Sequence, residues 1–333
     1  MKAVVRSLVL ATALMLSART QAADVICYGC SQQSADWASV VKAIKVDLGL
    51  EIALDNKESG QALTQLLAES DHPVADFAYL GVTSAIKAKE AGILEPYRLK
   101  GFADMAPGLR DPDGYWTAIH SGTLGLFVNK GALGGKKVPA CWSDLFKPEY
   151  RGMVGYLDPS ATVVGYVGAV AVNLAIGGTV NDFDPVISYF KALQANAAIV
   201  PKQPSYARVL SGEIPILFDY DFNAYRAKYT ERGKFEFVLP CEGSVVFPYV
   251  VGLIKNAPHR AQAERVLDYL LSERGQLLFG NAYLRPARPV QLPTEISAKF
   301  LPARDYRRAV AIDWEQVARV EKIFVDLYLA QIQ

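Results

Sequence analysis

The chain alternates short apolar runs with segments whose apolar residues recur every three or four positions. After Ser34, a candidate N-cap, one such segment has helical spacing at Trp37, Val40, Val41, Ile44 and Leu48. Gly49 ends this pattern. Two further units follow, with strand-like runs at 51–54 and 76–80 and helical patterns after Ser59-Gly60 and over 82–91. This order predicts an α/β fold with parallel strands.

Three consecutive strand-loop-helix units place three loops at the same edge of one sheet. Ligands of open α/β sheets bind at the carboxyl ends of the strands. The candidate binding residues in these loops, which span 31–33, 59–60 and 79–83, are Ser31, Ser59, Gly60, Tyr79 and Thr83.

The middle of the chain predicts a second lobe, joined to the first by two crossings. A strand-like run over 115–129, interrupted at His120-Ser121-Gly122, predicts the first crossing, and 238–254 predicts the return. Helical patterns lie at 162–176, 185–193, 206–210 and 223–229, and a strand at 214–218 ends in Asp219-Tyr220-Asp221. We therefore expect residues 24–120 and 245–333 in one lobe and 125–240 in the other.

A predicted strand at 153–157 leads into a long apolar helix through Asp158-Pro159-Ser160-Ala161-Thr162. A helix N-terminus carries free N–H groups and the positive end of the helix dipole, which suits an anion. Ser160 and Thr162 add hydroxyl groups. The competing interpretation is an ordinary capped helix, which is the commoner role of Ser and Thr at such positions.

The first 23 residues have the features of a secretory signal peptide. Lys2 and Arg6 precede an apolar run over 8–16, and small residues surround Ala22. Without this segment the chain holds 32 basic and 34 acidic residues, because Lys2, Arg6 and Arg19 are lost from the 35 basic ones. Such a near-neutral exported chain offers no electrostatic surface for nucleic acid.

Four cysteines would enter an oxidising compartment, where disulfides persist. They allow three pairings. We expect Cys27 to pair with Cys30 and Cys141 with Cys241. No second C-x-x-C and no His pair completes a zinc site in the sequence.

A secreted hydrolase is the competing functional class. Ser84-Ala85-Ile86-Lys87 is an S-x-x-K, but the S-D-N and K-T-G partners of that motif are absent from the sequence. The three histidines, His72, His120 and His259, have no accompanying G-x-S-x-G. A chaperone would require an exposed apolar groove, which nothing in the sequence indicates. We therefore expect no enzymatic activity, no metal and no cofactor.

One segment carries a family resemblance. Pro139, Trp142, Asp144, Leu145, Pro148, Tyr150 and Gly152 fit P-x-x-W-x-D-L-x-x-P-x-Y-x-G. This signature resembles that of periplasmic solute-binding proteins of ABC importers for ferric iron, sugar phosphates, phosphonates, thiamine and polyamines. The resemblance continues at 211–215, 240–243 and 270–276. It implies a two-lobed type II periplasmic binding protein fold with a hinge and an interlobe cleft. It also implies a monomer that delivers a small solute to an inner-membrane ABC permease with its cytoplasmic ATPase.

Within such a cleft, the candidate residues divide by charge. For an anionic group we expect Ser160, Ala161 and Thr162, assisted by Ser59, Gly60 and Ser31. For a cationic group we expect Asp219 and Asp221, with Tyr220 beside them, because a carboxylate forms a charge-assisted hydrogen bond with an amine. A solvated turn is the alternative role for these acids. Secondary candidates are Tyr79, Thr83, His120 and Ser121.

The ligand hypothesis follows from both groups of candidates. Ferric-binding relatives use adjacent tyrosines after the strand equivalent to 214–218, where this chain has only Tyr220. An anion seat beside carboxylates suits a zwitterion, so we expect an organophosphonate such as 2-aminoethylphosphonate, or a phosphate ester. Ferric iron, polyamines and thiamine are the alternatives.

Overall fold

The computed structural model describes residues 23–32, 35–202, 205–231 and 233–333. The predicted signal peptide up to residue 22, Gln33 and the predicted cap Ser34 lie outside them. Strands are β1 (Val25–Tyr28), β2 (Ile52–Leu54), β3 (Phe77–Gly81), β4 (Leu94–Glu95), β5 (Thr117–Asn129), β6 (Val154–Gly155), β7 (Ile216–Tyr220), β8 (Phe235–Val238), β9 (Ser244–Ile254), β10 (Arg285–Pro286) and β11 (Ala309–Val310). Helices are α1 (Trp37–Leu48), α2 (Ser59–Ala68), α3 (Val82–Glu90), α4 (Val163–Ala175), α5 (Asp184–Ala195), α6 (Ser205–Leu210), α7 (Asp221–Thr230), α8 (Arg260–Leu271), α9 (Glu273–Asn281), α10 (Thr294–Ser297), α11 (Ala303–Tyr306) and α12 (Trp314–Ile332).

The first three strands form the parallel arrangement that the sequence predicts. β1 lies between β2 and β3 and pairs in parallel with both. The N-termini of α2 and α3 follow β2 and β3 and therefore lie at one edge of the sheet. Helix α1 begins at Trp37, because the Asp36 carboxylate accepts a hydrogen bond from the Ser39 N–H and caps the helix.

Strand β5 joins the two halves of the sheet. Its first part, over 117–123, pairs with β9, and its second part, over 124–128, pairs with β7. The predicted break at His120-Ser121-Gly122 is wrong, since β5 is continuous, with one register shift between Ala118 and His120. Gly122 has a packing role instead, because a Cβ there would lie 2.6 Å from the ring of Phe222.

Three other element boundaries differ from the expected ones. The predicted return crossing over 238–254 is formed by β9 from Ser244 onward, after a turn that follows the end of β8 at Val238. Strand β6 covers only Val154–Gly155 of the predicted 153–157. Strand β7 continues through Asp219 and Tyr220, and α7 begins at once with Asp221. These acids therefore lie at a strand-helix junction and not in a loop.

Both expected disulfides are present. Cys27 pairs with Cys30, and Cys141 with Cys241. The second disulfide lies beside an additional polar link, in which Glu242 accepts the backbone N–H of Trp142 at 2.8 Å. The β8–β9 turn is thereby fixed to the segment that carries the signature residues.

Helix α12 contacts both halves of the molecule. Its Phe324 ring packs on Tyr166 of α4 and on Phe183 beside α5. Toward the first half, Glu321 forms an ion pair with Lys87 of α3 at 2.8 Å. The exact lobe boundaries therefore stay a prediction. Among the described residues, no helix has the length and apolarity needed to cross a membrane.

Candidate ligand site

A cavity of about 570 Å³ lies where the first turns of α2 and α4 face each other. We call it the anion seat. Its lining includes Ser84 and Lys87 of α3 and Glu321 of α12 as well as Ser59, Gly60, Gln61, Ser160, Ala161, Thr162, Val163 and Val164. The sequence placed the two helix starts in different lobes, and the structure brings them to one cavity.

The start of α2 leaves backbone donors available. Glu58 is the N-cap residue, with extended backbone angles and no side-chain capping hydrogen bond. The N–H groups of Ser59, Gly60 and Gln61 have no partner among the described residues, as expected for the first turn of a helix. The Ser59 hydroxyl oxygen accepts the Gly81 N–H at 2.9 Å, which ties α2 to the start of α3.

The start of α4 differs from the expectation. The N–H groups of Ser160, Ala161 and Thr162 all donate to Asp158, so these predicted donors are already occupied. The Thr162 hydroxyl oxygen accepts the Gly165 N–H at 3.1 Å, which is an ordinary N-cap. The donors left in this first turn belong to the next two residues, Val163 and Val164.

Five backbone N–H groups from two helices, without a partner among the described residues, thus belong to residues that line one cavity. Both helices have ten or more residues, so their dipoles add positive potential at these ends. Lys87 contributes a cation that is paired with Glu321. An anion with several acceptor oxygens, such as a phosphate or phosphonate, matches this arrangement of donors.

A second cavity of about 60 Å³ continues from the anion seat. We call it the acceptor pocket. Glu58, Val164 and Tyr249 line both cavities, and the remaining lining residues are Leu157, Ser205, Tyr206, Asp219, Tyr220, Phe222, Asn223 and Arg226. The sequence predicted Asp219 and Tyr220 as binding residues, and both lie here.

Burial raises the pKa of the Asp219 carboxyl to about 6. Its oxygens accept the Asn223 side-chain amide at 3.0 and 3.1 Å and the Tyr220 N–H at 2.7 Å. The Arg226 guanidinium, which lies 4.2 Å from the ring centroid of Tyr206, opposes the rise in pKa. Glu58 is exposed as a residue, yet desolvation raises the pKa of its carboxyl, which accepts the Ser31 hydroxyl at 3.0 Å.

Tyr249, which lines both cavities, packs with Tyr79 and His120 in a cluster that we call the aromatic floor. The Tyr79 hydroxyl is 2.6 Å from the His120 Nε2, and the Tyr249 ring stacks on both side chains. Burial lowers the pKa of His120 to about 3, so the imidazole is neutral. These predicted binding residues therefore bond to each other within the floor. Thr83 and Ser121 are also buried.

The Asp221 carboxylate is bonded entirely within the protein. This fully buried group accepts the N–H groups of Thr123 and Phe222 and the hydroxyl of Tyr306. These three donors come from the crossing strand, from α7 and from the C-terminal segment. Its carboxylate is thus satisfied internally and lies outside the lining of the two cavities.

Sequence reasoning missed Glu58, Asn223, Arg226 and Tyr249. Sequence patterns could have identified the first three. Glu58 directly precedes Ser59, and Asn223 and Arg226 follow Asp219 by four and seven residues and lie on one face of a helix. Tyr249 lies inside a buried strand and gives no such signal. For metals, the group of potential ligands found among the described residues is Cys141, Cys241 and Glu242, and its two sulfurs form a disulfide.

Comparison with known proteins gives a consistent family. The sequence profile described as "Bacterial extracellular solute-binding protein" matches residues 56–319. A Haemophilus influenzae protein is 27% identical over 288 residues, covering 82% of this chain and 80% of its own. A putative 2-aminoethylphosphonate-binding periplasmic protein of Salmonella typhi is 23% identical, covering 68% and 66%.

The solved structures confirm the fold class. A periplasmic binding protein of Actinobacillus pleuropneumoniae with bound fructose 6-phosphate superposes with a TM-score of 0.80 at 23% identity, covering 92% of this chain and 98% of that one. The predicted two-lobed periplasmic binding fold is therefore correct.

Proposed function

The chain belongs to the bacterial extracellular solute-binding protein family, and from this premise we propose that it captures a small organic phosphate or phosphonate. The Salmonella relative and the superposed structure are both named as periplasmic binding proteins, which agrees with the expectation from sequence of a binding protein and not an enzyme. The observation that carries the proposal is the set of five N–H donors from α2 and α4 in one cavity. Capture then requires hydrogen bonds and charge complementarity, with no covalent chemistry.

The biological setting follows from the relatives. The Salmonella relative is a periplasmic protein, and the predicted signal peptide at 1–23 agrees with export. We propose that the protein works in the periplasm and delivers its solute to an ABC permease of the inner membrane. Closure of the two halves about β5 and β9 would enclose the ligand between α2 and α4.

The similar proteins include phosphoryl-binding and ferric-binding members, among them an Fe(3+)-binding periplasmic protein of Serratia marcescens. One of the proteins similar to this chain is named for an aminoalkylphosphonate, and the superposed structure holds a sugar phosphate. Ferric iron is the alternative, and it prefers anionic oxygen ligands. Burial raises the pKa values of Tyr79, Tyr220 and Tyr249, which keeps these phenols protonated in the absence of a metal ion. The adjacent tyrosines expected of a ferric-binding protein are absent, since the sequence has Tyr220 alone at that position.

A ligand panel tests the proposal. The chain without residues 1–23 is unfolded, refolded to remove carried ligand, and measured by thermal shift and calorimetry. The panel contains 2-aminoethylphosphonate, propylphosphonate, fructose 6-phosphate, thiamine, spermidine and ferric citrate. We expect melting temperatures to rise with the phosphonates or the phosphate ester, because a ligand that binds only the native state stabilises it. A response confined to ferric citrate, thiamine or spermidine contradicts the proposal.

A further inference from the structure

The acceptor pocket contains a buried polar atom that lacks a hydrogen-bond partner among the described residues. The Asn223 Oδ1 is buried without a partner among the described residues, and the buried hydroxyls of Tyr206 and Tyr220 lie beside the Arg226 guanidinium and the Tyr249 hydroxyl. All of these residues line the same cavity of about 60 Å³. A buried polar atom without a partner costs free energy, so such a group is explained best when a ligand completes it.

The pocket also has an excess of negative charge. Glu58 from the start of α2 and Asp219 from the end of β7 carry the carboxylates, and Arg226 is the cation among the lining residues. Asp221 adds negative potential from behind, since its charge raises the pKa of Asp219. The Asn223 amide nitrogen is used by Asp219, which leaves its carbonyl oxygen as an acceptor.

We propose that the acceptor pocket binds a primary ammonium group on the same ligand whose anionic group occupies the anion seat. This inference rests on the proposed function and deepens it. An ammonium offers three donors and no acceptor. Asn223 Oδ1, Asp219 and Glu58 supply three acceptors, and the positive charge offsets the excess negative charge. A hydroxyl group would match neither the number of acceptors nor the charge.

The size and position of the pocket define the ligand further. Its small volume of about 60 Å³ suits a compact group such as an ammonium with the adjoining methylene. Glu58 and Tyr249 line both cavities, so a short spacer connects them. The inferred ligand class is therefore the small ω-aminoalkyl phosphonates and phosphates.

A matched ligand pair separates the two proposals. Propylphosphonate replaces the ammonium of 2-aminoethylphosphonate with a methyl group and keeps the anion. By calorimetry on the refolded chain, we expect the amine-bearing ligand to bind about tenfold more tightly or better. If neither ligand binds, the ammonium inference fails, and the proposed function fails with it when fructose 6-phosphate does not bind either. If both bind equally, the ammonium inference fails and the proposed function stands.

The Glu58→Gln variant tests the assignment within the pocket. It keeps the shape and the acceptor oxygen for the Ser31 hydroxyl but removes one negative charge beside the α2 N-terminus. We expect about tenfold weaker binding of 2-aminoethylphosphonate and unchanged or tighter binding of propylphosphonate. Retained propylphosphonate binding also shows that the variant is folded.

Two further variants complete the test. Glu149→Gln, at an exposed position outside the lining of both cavities, is the charge-matched control and should change neither affinity. Asn223→Leu should lower the preference for the amine by removing its acceptor. An unchanged preference in both Glu58→Gln and Asn223→Leu would overturn the inference.

Discussion

The backbone donors of α2 allow a direct test by proline substitution at its first residue, Ser59. Proline suits this position, because the preceding residue, Glu58, has extended angles of φ −74° and ψ 157°. The Ser59 N–H is not needed within the helix. Ser59→Pro therefore removes one donor from the anion seat without interrupting α2.

The expected loss of binding free energy follows from the type of hydrogen bond that is removed. A hydrogen bond to a charged group contributes about 1.5–3 kcal/mol, which corresponds to roughly a 10- to 150-fold change in Kd. Ser59→Pro also removes the hydroxyl that accepts the Gly81 N–H. Ser59→Ala removes that hydroxyl alone, so the ratio of the two Kd values isolates the backbone donor.

The same design applies to α4. Thr162 precedes its first residue with φ −137° and ψ 141°, so Val163→Pro is compatible with the local backbone. Val163→Ala is its control. If the anion is shared between both helices, each proline should weaken binding relative to its alanine control by about tenfold or more.

Calorimetry with propylphosphonate gives the affinities, because this ligand lacks the ammonium and reports on the anion seat alone. Circular dichroism and melting temperature verify that each proline variant retains its helices. Equal Kd values for the proline and alanine variants in folded proteins, at both positions, would refute the use of these N–H groups.

Three other outcomes are expected. Gly165→Ala should unfold at a lower temperature than the unsubstituted protein, since its Cβ would lie 2.4 Å from a backbone oxygen of the preceding loop. Gly168→Ala should be tolerated, because the atom nearest to its Cβ would lie at 3.6 Å, and the melting temperatures of the two variants test this difference. The preference for 2-aminoethylphosphonate over propylphosphonate should fall between about pH 7.5 and pH 5, because the Asp219 carboxyl gains a proton as the pH drops. Burial raises the pKa of this carboxyl to about 6, and the Arg226 charge acts against that rise. Calorimetry at both pH values measures the ratio of the two affinities, and a constant ratio contradicts this role of Asp219. Replacing Cys141 and Cys241 by alanines should lower the free energy of unfolding, measured by urea titration, by about 2–5 kcal/mol. The loss should exceed that caused by removing the Cys27–Cys30 disulfide, because Cys141–Cys241 closes a loop with a sequence separation of 100 and Cys27–Cys30 one of 3.

The sequence predicts local features of this fold well. The helical spacing between Trp37 and Leu48 yields α1, and the alternation of strands and helices yields the parallel order of β1, β2 and β3. The error at His120-Ser121-Gly122 has a tertiary cause. A glycine next to polar residues usually indicates a break, but here it makes space for the Phe222 ring from another element.

The candidate site is predicted less completely, because it depends on which partners are already engaged. The residues 158–162 contain every group that an anion-binding helix start requires. In the structure, Asp158 accepts three of the N–H groups, and Thr162 caps its own helix. Sequence identifies the correct helix start, while the available donors lie one and two residues further along.

Asp219 and Asp221 show why residue type and position do not by themselves assign a binding role. Both residues lie at the junction between β7 and α7, and both are buried. Strand alternation sends their side chains to the same face until α7 begins, after which the helical turn redirects the second. Asp221 then meets donors from three segments, whereas Asp219 lines the acceptor pocket. Asp221 thus fixes the junction that holds Tyr220 and Asp219 in the pocket, and its replacement by asparagine should weaken ligand binding and lower stability together.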